Sequence, residues 1–282
     1  MGSIADKLSK LIETKSAIKS AITAKGVTVS DSDPFSSYAG KIAQIESGGG
    51  GGEGAVGLVD GTITSYSGNE GAVREYAFRG CKNLRSVNLP NATEIGTYAF
   101  YGCDRLIHYE SPMVTKIETG AFQLSGVVEI DMPNAIDIGS YGFENCVDLL
   151  SINFPNVTTI GTYAFRFCEN LVSAVFPALI EVKDYAFTSC KSLVSVDLHS
   201  ATKLNNSFSL CESLKTLILR TNNLCALAGS NSFYGSPIES GTGYIYVPAR
   251  LQTSYMYATN WSKYANRIRA IEDYPEICGG TT

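Results

Sequence analysis

Acid–base catalysis and metal binding draw on histidine more than on any other side chain, and this chain has two histidines in 282 residues. Charge is also sparse: 17% of residues are Asp, Glu, Lys or Arg, the net charge is -5, and no run of Lys or Arg appears. Without a basic patch the electrostatic footprint of a nucleic-acid binder is missing. No apolar run approaches the roughly 20 residues that cross a bilayer. The opening MGSIADKLSKLIETK is charged and has no continuous apolar stretch, so it does not read as a secretory signal. It also fails the myristoylation pattern, which wants Ser or Thr where Asp6 stands. Any passage out of a cell is therefore expected by another route, such as lysis or assembly into a particle. No phosphate loop, nucleophile elbow or zinc motif occurs. The expectation is a chain that is not an enzyme and that carries no cofactor and no metal.

What is present is repetition. The phenylalanines of an Ala-Phe or related pair fall at Phe78, Phe100, Phe122, Phe143, Phe165, Phe187 and Phe208, with spacings of 22, 22, 21, 22, 22 and 21, and a degenerate eighth copy centres on Phe233. A fixed period in this range is the signature of a solenoid, in which each unit buries its apolar face only by stacking on its neighbours. The apolar positions keep register: Phe78, Cys81, Leu84, Val87, Leu89, Ala92 and Ile95 in one unit match Phe165, Cys168, Leu171, Ala174, Phe176, Leu179 and Val182 in another. Alternation around Val87 and Leu89 predicts one strand per turn of a parallel sheet. Pro90, Pro112, Pro133, Pro155 and Pro177 close that strand, because proline lacks the next ladder donor; His199 and Arg220 take its place later.

Six of the eight cysteines, Cys81, Cys103, Cys146, Cys168, Cys190 and Cys211, share one inward column, interrupted by Ser125. Rungs about 4.8 Å apart bring the Cα atoms near enough for a disulfide, yet the side chains point the same way. Buried thiols are the favoured reading over disulfides or metal ligation.

The pattern L-x-x-(V/I)-x-(L/F)-P followed by I-G-x-Y-A-F-x-x-C-x-x-L resembles the BspA-like leucine-rich repeat, a family of bacterial and some protozoan surface proteins. The resemblance runs from about Gly57 to Pro248 and implies a curved leucine-rich-repeat solenoid. Gly57 to Ser67, with an Asp60-Gly61 turn, reads as an entry hairpin. Gly241 to Pro248 reads as a last strand, and Leu251 to Ile271 as a helical lid with the stripe Trp261, Tyr264, Ala265, Ile268 and Ile271.

Ahead of the repeats, Ile4, Leu8, Leu11, Ile18 and Ile22 follow coiled-coil spacing if Lys15 fills the gap. This helix either packs on its own downstream segment or joins copies of the chain, a trimer being favoured in the second case. A second helix is expected from Pro34 to Ile45, then a flexible glycine tether. The residues Lys15, Ala17, Ile18, Ala21, Ile22, Gly26, Val27, Phe35, Tyr38, Ala39, Lys41 and Ile42 resemble a segment of bacteriophage and prophage tail proteins. That resemblance implies attachment to a virion tail beside other tail proteins. The organisation expected is a helical attachment region over 1–46, a linker over 47–54, the solenoid over 55–248, and a cap and tail over 249–282.

The outward strand positions are the candidate binding residues: His108, Glu110, Glu129, Asp131, Asn153, Asp197, Tyr244 and Tyr246. Solenoid faces serve as binding surfaces, and exposed tyrosines are good anchors, so binding is expected most strongly at Tyr244 and Tyr246. A cation among His108, Glu110, Glu129 and Asp131 is the less favoured use of that cluster. The resulting expectation is a non-catalytic tail-fibre or tail-tip protein that binds a protein or glycan receptor on the host surface. The alternative is a cell-surface adhesin of the BspA type.

Overall fold

The computed structural model describes residues 63–278, together with the isolated Lys19. The chain divides into two units, Met1–Ser67 and Gly68–Thr282. Of the first, the described part includes a strand, Ser65–Ser67; the two lead-in helices, the glycine tether and the Asp60-Gly61 turn lie outside the described residues. The second unit is the solenoid.

Each turn contributes two strands rather than the single one expected. The longer series runs Ser86–Asn88, His108–Glu110, Glu129–Asp131, Ser151–Asn153, Ser173–Phe176, Ser195–Leu198, Thr216–Leu219 and Tyr244–Val247. The shorter series, from Glu94–Ile95 to Ala226–Leu227, forms a parallel sheet of seven strands in sequence order. These two-residue strands were hidden because Ile95 and its equivalents supply only one inward side chain each, too little to show alternation. A third ladder joins the Tyr-Ala-Phe segments. The Phe78 amide donates to Ala99 O at 2.7 Å, and the pattern recurs from Phe100 to Ala121 O and from Phe143 to Ala164 O. Near-identical turn lengths keep all three ladders in step, so few backbone groups in the stack go unpaired.

The longer series breaks its pairing between His108–Glu110 and Glu129–Asp131. Here one 21-residue unit replaces Cys-x-x-Leu by Ser125-Gly126-Val127, one residue shorter. A Cβ on Gly126 would lie 2.3 Å from Asp104 O, so only glycine fits the tightened turn. Nothing in the sequence accounts for the second break, after Ser151–Asn153.

The columns expected to point inward do so. Phe100, Phe122, Phe143, Phe165, Phe187 and Phe208 are fully buried. Their rings stack face to face, with centroids 5.1 Å apart for Phe122–Phe143 and 5.2 Å for Phe143–Phe165. Beside them, the thiols from Cys103 to Cys211 donate to the carbonyl of the phenylalanine one rung back: Cys103 Sγ to Phe78 O at 3.0 Å, Cys146 Sγ to Phe122 O at 3.0 Å, Cys168 Sγ to Phe143 O at 3.1 Å, Cys190 Sγ to Phe165 O at 3.1 Å and Cys211 Sγ to Phe187 O at 3.1 Å. The same carbonyl accepts the amide three residues on, as Phe78 O does from Cys81. The column therefore both fills volume and satisfies the second lone pair of each buried carbonyl. Cys103, Cys146, Cys168, Cys190, Cys211 and Cys225 are buried and unbridged.

The C-terminal end is a small helical cap, less helical than the lid expected over Leu251 to Ile271. The helix is confined to Ala249–Tyr257; a 3-10 turn follows at Ser262–Arg267, and Ile268–Ala270 is a strand. That strand pairs in parallel with Tyr244–Val247, matching Tyr246 to Arg269. An open sheet edge has unmet donors and acceptors, and this demand overrides the helix-like spacing of Ile268 and Ile271. Trp261 does close the core: it is fully buried, lies 6.1 Å from Phe233, and its indole nitrogen donates to Cys225 O at 2.7 Å.

Candidate binding surfaces

The outward strand face is open in its middle and covered at its C-terminal end. His108, Glu110, Glu129, Asp131 and Asn153 are exposed, with Asn153 donating to Asp131 Oδ1 at 2.9 Å. Among the described residues no three His, Cys, Asp or Glu side chains converge as metal ligands, this cluster included. Asp197 is half-buried and held by its own neighbour: Arg220 Nε meets Oδ1 at 3.0 Å and Arg220 Nη2 meets Oδ2 at 3.0 Å. That bidentate pair leaves little of the carboxylate for a partner.

Tyr246 corrects the expectation of an exposed aromatic anchor. It is 3% exposed, clustered with Ile218 and Ile271, with the Tyr274 ring edge-on at 5.4 Å. The segment after Ile268–Ala270 folds back across this corner, so Tyr246 and Ile218 belong to a small second core. Tyr244 is half-buried, with the Arg269 guanidinium 4.7 Å above its ring.

Two surfaces escaped the sequence reading. The first is an aliphatic stripe one position before the longer strands: Ile107, Val128, Leu150, Val172 and Val194 on successive rungs, bounded by Arg85 and Lys215. Ile107 is 51% exposed and Val172 48%. Five apolar residues in one outward column is the signal that would have revealed it.

The second is the tyrosine corner. Tyr76, Tyr98, Tyr141, Tyr163 and Tyr185 stand two residues before the repeat phenylalanines, each with a left-handed backbone near φ +52 to +60°. For a residue with a Cβ this conformation is strained, and the rung-to-rung ladder holds it: the Tyr76 amide donates to Thr97 O at 2.9 Å and Tyr98 to Thr119 O at 2.9 Å. The rings stack along the corner, Tyr76–Tyr98 at 5.7 Å and Tyr141–Tyr163 at 5.3 Å. Gly120 interrupts the column. Tyr98 leans into the gap, where a Cβ on Gly120 would sit 2.2 Å from its ring. An open cleft of about 400 Å³ results, lined by Tyr76, Arg79, Tyr98, Tyr101 and Gln123.

Two arginines occupy the same repeat position, Arg79 and Arg166. Arg166 stacks on Tyr163 and Phe167, at 5.0 and 4.5 Å, and pairs at 3.3 Å with the buried carboxylate of Glu144, which also accepts from Gln123 Nε2 at 2.5 Å. Arg79 lies between Tyr76 and Tyr101, at 5.4 and 5.3 Å, and pairs with no carboxylate among the described residues.

Ile4, Leu8, Leu11, Ile18 and Ile22, the expected oligomerisation seam, lie outside the described residues. Among the described residues no helix is long and apolar enough to cross a membrane.

No curated protein matches the sequence. Similar solved structures include a leucine rich cell surface protein from Faecalibacterium prausnitzii A2-165, at 16% identity over 78% of this chain and 83% of that one, with a TM-score of 0.44. A T. pallidum leucine rich repeat protein aligns at 22% identity over 73% and 85%, with a TM-score of 0.44. A leucine-rich repeat protein from Bacteroides ovatus aligns at 16% identity over 66% and 60%, with a TM-score of 0.39. The family model for the BspA type leucine rich repeat region matches in six copies, over residues 65–156 and 136–260. With most of its length accounted for by these copies, the chain belongs to the BspA type leucine-rich repeat family.

Proposed function

We propose that the chain is a non-catalytic, adhesin-like recognition protein whose long-strand face meets a macromolecular partner at a cell surface. The observation that carries this reading is the aliphatic stripe from Ile107 to Val194 beside the exposed polar positions His108, Glu110, Glu129, Asp131 and Asn153. An apolar strip rimmed by polar side chains is the composition of a protein-binding patch, and repeat solenoids use such extended faces. Family membership favours the surface-adhesin address over the tail-fibre one, which rests on lead-in residues alone. The C-terminal corner is a weaker contact point, since Tyr246 is covered and Asp197 is already paired.

The test is binding of the fluorescently labelled full chain to host cells and to immobilised matrix proteins. Leu150→Glu with Val172→Glu places charge on the stripe without touching the core, and it is expected to abolish binding at unchanged melting temperature. Binding that survives this double variant excludes the strand face as the contact. Self-association is a separate proposal: a trimer that becomes a monomer on deleting residues 1–46 supports it, and a monomer in both forms removes it.

A further inference from the structure

We infer that the partner of the long-strand face is an amphipathic α-helix with Lys or Arg along one flank, laid lengthwise on the aliphatic stripe with those cations over Glu110, Glu129 and Asp131. The inference rests on the reading of that face given above and adds the chemistry of the partner.

The first observation is a group of carboxylates without a counter-ion. Elsewhere the stack answers a carboxylate with a cation one rung away: Lys82 meets Asp104 at 3.1 Å, Arg166 meets Glu144 at 3.3 Å and Lys191 meets Glu169 at 2.8 Å. Glu110, Glu129 and Asp131 are exposed and form no ion pair among the described residues. The places one rung away hold Asn88, His108, Ser151 and Asn153, all of them described and none a Lys or Arg. Asn153 donates to one oxygen of Asp131 and leaves its charge in place. Arg105, which precedes the stripe on its rung, donates to Asn83 Oδ1 at 3.4 Å and not to these acids. Glu110 and Asp131 follow one another in a single column, and like charges so placed weaken a sheet. Among the described residues no three such groups converge on a point as a bound metal requires, so the matching positive charge is itself spread out.

The second observation is the spacing of the stripe. Ile107, Val128, Leu150, Val172 and Val194 stand on successive rungs, and four steps of about 4.8 Å make a row about 19 Å long. A helix with apolar residues at alternating intervals of three and four presents one about every 5.2 Å, and falls out of step by about 2 Å over that length. An extended segment presents same-face side chains about every 6.7 Å and falls out of step by about 8 Å, more than a whole rung. The stripe thus takes about 13 residues of helix.

The remaining occupants are opposed by charge. An anionic membrane surface would be repelled by the same three acids. A second copy packed two-fold about Leu150 would set Arg85 against Lys215 at both ends of the stripe, like against like.

The experiment is fluorescence anisotropy of a labelled peptide of about 18 residues, with Leu along the seam and Lys on one flank, titrated with the full chain. Two further peptides carry Glu in place of Lys, or two internal prolines that break the helix. The Lys peptide is expected to bind, and the other two at least about 10-fold more weakly. Glu110→Gln, Glu129→Gln and Asp131→Asn together should weaken the Lys peptide roughly 3- to 100-fold, the range for three exposed ion pairs, with no fall in melting temperature. Asp137→Asn with Asp184→Asn removes exposed charge away from the long strands and should change nothing, which separates local contact from general attraction to a chain of net charge -5. No binding of the Lys peptide would overturn the helix assignment. So would equal binding of either companion peptide, indifference to the three neutralised acids, or equal weakening in the control variant. Loss of cell binding in the Leu150 and Val172 variant alongside any of these results leaves the face standing and removes the helix; cell binding that survives that variant removes both.

Discussion

Raising the pH should unfold this protein more steeply than an ordinary globular chain. Burial pushes the Cys146, Cys211 and Cys225 thiols up to about 12 and holds Cys168 and Cys190 well above the usual thiol range. Cys103 is raised by its hydrogen bond with Cys81 and by burial. In the unfolded chain these six thiols titrate near about 8.5. The folded state thus retains protons that the unfolded state releases. Stability is full below that pH and falls as pH rises through it. Each thiol contributes about 1.4 kcal/mol per pH unit, so six together remove about 8 kcal/mol per unit above about pH 9. Cys81 is shifted the other way, held low by the Cys103 thiol; its contribution is constant once the unfolded thiol has ionised, so the slope is unchanged. A domain of this size has roughly 10–30 kcal/mol of stability, which two pH units would largely exhaust. Urea titrations under reductant, at pH 7.5, 9 and 10, should show a collapsing midpoint. Cys168→Ser with Cys190→Ser keeps a donor for each carbonyl and removes two of the six thiols, so the slope should drop by about a third. An unchanged midpoint at pH 10, or an equal slope in the double variant, would refute the buried thiol column.

Other consequences follow from packing. Phe143→Ala removes a ring stacked on Phe122 and Phe165, and should cost about 3–5 kcal/mol by urea denaturation; a cost below about 1 kcal/mol would contradict a continuous stack. Tyr109 is buried against Phe100 and Phe122, and by distance and angle its hydroxyl meets no hydrogen-bond partner among the described residues. Tyr109→Phe should therefore raise stability by about 1–3 kcal/mol, and a lower melting temperature would show that the hydroxyl is satisfied. In a Cys278→Ser background, Cys81 is the half-exposed thiol of the column, and it should alkylate in the native state at a lower pH than an ordinary thiol. Mass-spectrometric mapping that finds Cys168 or Cys190 modified as fast would exclude their burial.

The repeat was legible because the pattern is written seven times: Phe, Cys and Leu at fixed offsets leave one solution, a stack in which like residues meet like. The C-terminal corner was not, and the reason is physical. Trp261, Tyr264, Ala265, Ile268 and Ile271 have helix spacing, yet the unpaired edge of Tyr244–Val247 captures Ile268–Ala270 as a strand. That pairing draws Ile271 and Tyr274 over Tyr246, a consequence of long-range contact that no local window contains. The tyrosine-corner cleft was legible in part. Gly120 breaks a column of tyrosines, but which rings flank the Arg79 guanidinium, Tyr76 and Tyr101, follows only from how the turns stack.

The central claim is that phenylalanines 21 or 22 residues apart in sequence stack ring on ring through the length of the repeats. It is tested most directly by nuclear Overhauser spectroscopy on protein in which only phenylalanine rings are protonated. The account predicts an unbroken chain of strong contacts, Phe100 to Phe122, Phe122 to Phe143, Phe143 to Phe165 and Phe165 to Phe187, from ring centroids 5.1–5.2 Å apart. Isolated rings, with Phe143 seeing neither Phe122 nor Phe165, would contradict it.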